Sequence, residues 1–321
     1  MALTRRSSHP SCGRRSTLPS EFNIRIVNED QGYEGSLMMS IIRTLSPVPV
    51  VFDWTSKPHL EIRGANRPWR PLRSRIPAKL KRMARGPAKI VLFHTTENAR
   101  YELADFTIGF DLGVTEERHF RMPLWWSSVD WARQGIRNVP TPRIRKLIDI
   151  ETLMQPLGEG VLQRPRKAAF FTTHMLQPRE TLFRELSAAI EIDGYGPHFD
   201  PSIENHNNSS IFKDDVLQNY MFNICPENTM FPGYYTEKVP EAFGAGCIPV
   251  TWADQNIASE FNPRAFINLA DFAATGYREG FKRALRAESM TRLVSTPLLD
   301  KAPDFATLLQ FVQKIIDQAL R

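Results

Sequence analysis

Residues 221–252 read MFNICPENTMFPGYYTEKVPEAFGAGCIPVTW, and this stretch limits what the chain can fold into more than any other. Residues 221–225 form a short apolar run bounded by a polar loop containing Pro and Gly, the pattern of a buried parallel strand. Val239, Ala242 and Phe243 then fall at helical spacing, and Gly246 suits a left-handed stop. Residues 248–252 are a second apolar run. Strand, polar loop, helix, glycine and strand make a βαβ unit. Its first loop lies at the carboxyl end of a strand, where open α/β sheets bind ligands. One tension sits inside it. Pro240 disfavours helical geometry at Val239, so the helix is expected to start at Pro240, with 236–239 as structured loop.

The loop carries Glu227, Asn228, Tyr234, Glu237 and Lys238. An ammonium at a helix start adds to the partial positive charge of the free N–H groups, which favours phosphate. A neighbouring carboxylate can accept hydrogen bonds from a ribose diol. The same residues are also what a solvated helix start with an ordinary Glu–Lys face displays.

With 321 residues, the chain is long enough for two α/β domains of about 150 residues each. Its formal net charge of +6 is unevenly spread: residues 57–89 are rich in Lys and Arg and contain one acid, Glu61. Such a surface attracts nucleic acid, anionic lipid or an anionic sugar nucleotide. No zinc-finger, basic-zipper or RNA-recognition signature accompanies it, so nucleic acid is not expected as a partner. Weak peripheral membrane contact through the basic stretch stays open. Cys12, Cys225 and Cys247 are odd in number and lack a CxxC pattern, which fits a reducing compartment. The first twenty residues are basic and Ser-rich without the apolar core of a signal peptide. No apolar run approaches a membrane span. The expectation is a soluble, cytoplasmic protein; the sequence carries no signal for an oligomeric state.

Along the chain, 22–27 reads as a strand, 35–45 as a helix and 48–52 as a second strand, an opening βαβ unit. Residues 55–87 read as a surface excursion. Residues 89–93 are a strand leading into the polar loop HTTENAR, where Glu97 by itself reads as a solvated acid. Residues 106–110 form the next strand, with Asp105 and Asp111 at its ends. Trp125, Trp126 and Trp131 cluster closely and favour packing over stacking on a sugar. Residues 139–166 link two domains and include a short helix over 144–154. The second domain opens with a strand at 167–172 and an amphipathic helix at 178–189. Arg179 stands in that helix's first turn, against dipole preference. It is more useful there facing an anion than exposed, and both readings stand. A helical lead-in is expected at 216–220, and a final amphipathic helix within 303–321.

Several ordered motifs carry a family resemblance. They are F-N-I-C-x-E-N, G-Y-x-T-E-K and A-G-x-I-P-V-x-W, preceded by FHTTEN, LADFTIGFD and RMPL and followed by FNPRAFI. Over roughly residues 89–272 the chain resembles the α-1,3/4-fucosyltransferases of glycosyltransferase family 10. The resemblance implies a GT-B fold, two Rossmann-like α/β domains facing across a cleft. The acceptor-binding domain would span 21–155 and the GDP-fucose-binding domain 156–300. By composition and spacing rather than resemblance, residues 1–20 are expected to be disordered and 301–321 to form a helix packing back on the body. GDP-fucose would be the donor, and an N-acetylglucosamine-containing glycan the acceptor, modified at O3 with inversion.

By the same match Glu97 is the catalytic base and Arg179 contacts the donor diphosphate. Asn228 and Glu237 would hold the phosphate and ribose ends, Tyr234 would line the donor pocket and Lys238 would act as a point charge. The loop before Arg179 departs from the pattern, with Thr173-His174 replacing a Ser-Asn pair. No D-x-D motif occurs. Asp149-Ile150-Glu151 is a loose echo in the linker, and the histidines lack ligand spacing, so neither metal nor cofactor is expected. The alternatives are a transferase of another GDP-deoxysugar and a non-catalytic glycan-binding protein.

Overall fold

The computed structural model describes residues 18–27, 33–52, 57–64, 87–94, 104–139, 146–200 and 212–321. The disordered segment expected at 1–20, apart from its last three residues, lies outside that set, as do Cys12, Glu97 and most of the basic stretch.

Among the described residues the chain folds into two all-parallel sheets. The first contains β1 (Phe22–Val27), β2 (Val50–Phe52), β3 (Leu60–Arg63), β4 (Ile90–His94), β5 (Phe106–Gly109) and β6 (His119–Arg121), in the order β2-β1-β3-β4-β5-β6. The second contains β7 (Lys167–Phe171), β8 (Glu191–Tyr195), β9 (Phe222–Ile224), β10 (Ile248–Thr251) and β11 (Ile267–Asn268), in the order β11-β10-β9-β7-β8. Counted from its own first strand, each sheet begins 2-1-3-4-5, the doubly wound order whose direction reverses beside the first strand. The helices are α1 (Leu37–Leu45), α2 (Ile150–Leu153), α3 (Arg179–Ser187), α4 (Lys213–Leu217), α5 (Lys238–Gly244), α6 (Tyr277–Ala284), α7 (Ala287–Val294) and α8 (Phe305–Leu320). This is the GT-B-like α/β architecture.

Local chemistry explains most element ends. Ser36 caps α1, its hydroxyl accepting from the Met39 amide at 3.3 Å, and the helix buries Leu37, Met38, Met39, Ile41 and Ile42. Gly246 ends the α5 turn at φ +79°, as the left-handed stop requires. The helix itself starts at Lys238, two residues before Pro240. That proline occupies the third helical position, where a backbone N–H would have had no intrahelical partner. The helix expected over 144–154 shrinks to α2, capped by Asp149, which accepts from the Glu151 amide at 3.1 Å. The D-I-E echo is therefore a helix cap. The lead-in expected at 216–220 lies earlier, as α4.

The largest correction concerns 55–87. Its residues Leu60–Arg63 are not surface excursion; they form β3, in the middle of the first sheet between β1 and β4. Leu60 and Ile62 are fully buried, each stabilising by about 1.5–3 kcal/mol relative to exposure. Glu61, 4% exposed, takes Arg25 Nε at 2.6 Å and also pairs with Arg63. A short strand alternating apolar and charged residues inside a basic stretch looks like surface. Only the cross-strand guanidinium makes its carboxylate tolerable inside.

The two domains pack closely. Trp125 and Trp131 are 1% exposed, and the Trp131 ring stacks on Phe305 of α8 at 3.9 Å. Helix α8 lies against α1 and β4, with Phe311 against Phe106 and Phe120. Across the domain boundary Glu260 accepts from Trp125 Nε1 at 2.9 Å and from Arg121 at 2.6 Å. Among the described residues no helix is long and apolar enough to cross a membrane.

Candidate active site

In the second sheet the order reverses at β7, with β8 on one side and β9 on the other. The loops that follow β7 and β9 converge at the carboxyl ends of those strands, where doubly wound sheets hold their ligands. The loop after β7 leads to Arg179, the first residue of α3; the loop after β9 carries Glu227 and Asn228. The strands are anchored to each other below the loops, with Asn223 Nδ2 donating to the Ala169 carbonyl at 3.0 Å. Arg179, forty-nine positions from Asn228 in sequence, reaches across and donates from its guanidinium to Asn228 Oδ1. A weaker bond of 3.4 Å runs from Arg179 to the His174 carbonyl.

Glu227 forms the buried centre of the site, with 0% exposure. It accepts from the Thr236 amide at 2.7 Å, from the Thr236 hydroxyl at 2.8 Å and from Lys238 Nζ at 3.0 Å. Lys238 also donates to Thr236 Oγ1 at 2.8 Å. An ammonium has three donors, so one N–H of Lys238 is left without a described partner. Burial works against the charge on Lys238, but the carboxylates of Glu227 and Glu237 outweigh it and hold the ammonium above its ordinary range. Lys238 therefore keeps its proton throughout the physiological range.

The structure brings Arg179, Asn228, Glu237 and Lys238 to one place, with two changes to their expected characters. Lys238 is a side chain clamped to a buried acid rather than a free cation at a helix start. Helix α5 has only seven residues, so the positive character here comes mainly from side chains. Glu237, half-buried, occupies the cap position of α5. Tyr234 is 7% exposed, and its ring meets Phe110 of the first domain edge-on at 5.4 Å. It lies close to both Arg179 and Lys238. Its ring belongs to the domain junction as much as to a donor pocket. Glu97 lies outside the described residues; His94, three positions earlier, ends β4.

Sequence reasoning noted Glu227 in the loop and gave it no role. The available signal was an acid immediately after a buried strand, with a threonine and a lysine ahead of it. A cavity of about 330 Å³ between the 146–152 segment, α4 and α5 contains none of these side chains. Among the described residues, no three His, Cys, Asp or Glu side chains group closely enough to hold a metal ion.

Residues 162–282, which contain every one of these second-domain side chains, match the family model described as glycosyltransferase family 10 (fucosyltransferase), C-terminal part. Over those residues the chain resembles glycosyltransferase family 10. It is also 28% identical over 200 residues to the α-(1,3)-fucosyltransferase FucT of Helicobacter pylori, a match covering 56% of this chain and 41% of that protein. The match thus spans about two fifths of that relative's length. A solved α1,3-fucosyltransferase structure superposes with a TM-score of 0.66 at 22% identity, covering 97% of this chain and 93% of the other. A second, with GDP-fucose, gives 0.64 at 21% identity, covering 98% and 94%. At such identities the likeness shows the fold.

Proposed function

We propose that the protein is an inverting α-1,3-fucosyltransferase. It moves L-fucose from GDP-β-L-fucose to O3 of an N-acetylglucosamine in a glycan acceptor. The observation that carries this reading is the convergence of the loops after β7 and β9. There a guanidinium and a clamped ammonium stand beside carboxylate and amide groups, within the stretch that matches the family 10 model.

The chemistry follows from those groups. The acceptor O3 attacks the anomeric carbon opposite the leaving GDP, so the new C–O bond forms as the bond to the β-phosphate oxygen breaks. Negative charge grows on that phosphate. Arg179 can meet it with two parallel N–H groups and Lys238 with its remaining donor. Fixed cations that need no reorganisation at the moment of reaction stabilise such charge effectively. Glu97, assigned through the family motif FHTTEN, takes the proton from O3. Glu237 is suited to the ribose diol and Asn228 to the phosphate end, while Tyr234 closes the wall toward the first domain. We infer that no divalent cation is needed, because Arg179 and Lys238 supply the charge a metal would otherwise bring.

The test is a glycan panel assayed with GDP-fucose and, in parallel, with other GDP-deoxysugars. Fucose incorporation at O3 of N-acetylglucosamine is expected. Faster turnover with another GDP-sugar would replace the donor, and binding to glycans without any turnover would replace the enzyme reading altogether. Two narrower results accompany it. Lys238→Ala should weaken GDP binding by about tenfold to a hundredfold, the worth of one charge-assisted hydrogen bond, read by calorimetry. Excess EDTA should leave the transfer rate unchanged; a loss restored by added Mg²⁺ or Mn²⁺ would refute the metal-free reading.

A further inference from the structure

Four Asp and Glu residues are buried among those described: Glu61, Asp111, Glu227 and Glu241. Three of them sit on a cation. Glu61 is held by Arg25 and Arg63, Glu227 by Lys238 at 3.0 Å and Glu241 by Lys213 at 2.7 Å. Asp111 is the exception. It is 6% exposed, and its Oδ1 is shut away from solvent with no hydrogen-bond partner among the described residues. Buried carboxylates are costly unless paired and hydrogen-bonded, so an unpartnered one calls for an explanation in function.

Its location supplies one. Asp111 follows the carboxyl end of β5, which pairs with β4, the strand leading toward Glu97. On its other side lies the donor loop of the second domain. Gly233 of that loop has φ +93°, and a Cβ there would stand 2.3 Å from the Phe110 carbonyl oxygen and 3.2 Å from the Leu112 amide nitrogen. The backbones of the two domains therefore touch on either side of Asp111, directly at the junction, while Phe110 carries Tyr234 and Phe231 on its ring. The nearest basic side chain of β6, Arg121, is committed elsewhere, to the Phe110 carbonyl and to Glu260.

We propose that Asp111 is a sugar-binding residue, its carboxylate accepting hydrogen bonds from hydroxyl groups of a sugar ring held between the domains. The inference rests on the transferase reading above and adds a specificity residue to it. A carboxylate repels phosphate, so the ligand group facing it is a neutral polyol; the diphosphate belongs with Arg179 and Lys238. Two sugars meet in the cleft, the donor fucose and the acceptor, and both offer that chemistry.

Full-length protein carrying Asp111→Asn or Asp111→Ser, compared with wild type, separates them. Three quantities are read: thermal unfolding, hydrolysis of GDP-fucose without acceptor, and transfer to the panel acceptor the wild type uses fastest. Removal of a buried charge that has no partner among the described residues should leave the unfolding temperature unchanged or raise it. The KM for one sugar should rise roughly tenfold to a hundredfold, as expected for hydrogen bonds to a charged group. A rise in the GDP-fucose KM during hydrolysis assigns the fucose hydroxyls, and a rise confined to the acceptor assigns the acceptor; either supports the proposal. Unchanged KM values for both sugars overturn it, and so does a lowered unfolding temperature in both variants, which would make Asp111 a structural acid. A wild type that neither hydrolyses nor transfers from GDP-fucose overturns the transferase reading and this inference with it. Active wild type beside unaltered variants overturns this inference alone.

Discussion

Glu227→Ala is expected to destabilise the protein by about 3–5 kcal/mol, the usual consequence of leaving one member of a buried ion pair alone. For a chain of this size that lowers the unfolding temperature by on the order of 10 °C. The reason lies in what the carboxylate holds. It satisfies the Thr236 amide and hydroxyl and the Lys238 ammonium within one enclosed site. Without it, an ammonium with 19% of its side chain exposed keeps only Thr236 Oγ1 as a described partner. Donor binding should be lost along with stability, because Lys238 no longer has a fixed position. Glu227→Gln, which keeps the shape and some of the hydrogen bonds, should fall between wild type and Ala. A double variant adding Lys238→Met should recover part of the lost stability by removing the orphaned charge. Thermal unfolding of the four proteins checks this. A Glu227→Ala variant that melts with wild type would mean the carboxylate is not the organising group of the site.

Glu97→Gln should lower the transfer rate by about 10²–10⁴-fold, the range removed with a general base, while GDP affinity stays at the wild-type level. The asymmetry follows from the division of labour between domains. The groups proposed for the diphosphate all stand in the second domain, on the loops and helix starts that follow β7 and β9. As the proposed base, Glu97 would be needed only when the O3 proton leaves, so it should contribute to the transition state and little to nucleotide binding. Calorimetry with GDP and a single-turnover transfer assay measure the two halves separately. Wild-type turnover in Glu97→Gln would strip it of the role of base; loss of GDP binding would place it on the donor side instead.

How much of this was readable in advance varies by element. The strand–loop–helix–strand run at 221–252 was legible because an apolar run, a polar loop and a glycine stop each report a local requirement. Strand β3 was not. Four residues reading LEIR inside a basic stretch contain too few apolar positions to announce a central strand, and Glu61 looks like a surface acid until Arg25 is known to lie beside it. The helix start at Lys238 was misjudged because Pro240 restricts the residue before it, yet a first-turn proline loses no helical hydrogen bond. Arg179 and Lys238 were identifiable as charges in suggestive places. That Lys238 is clamped by Glu227, and that Arg179 meets Asn228, were not.

Local pattern by itself determined the α/β class, most strand and helix positions, and the loop in which the cations stand. Those are properties of neighbouring residues and of how often the chain turns its apolar side inward. The strand order decided the rest: β9 was set beside β7, which joined groups nearly fifty positions apart, and Gly233 was pressed against Phe110, which put Asp111 at the junction of the two domains. Such juxtapositions arise from the cheapest way of burying two whole sheets, a sum over distant surfaces that no short window of sequence contains.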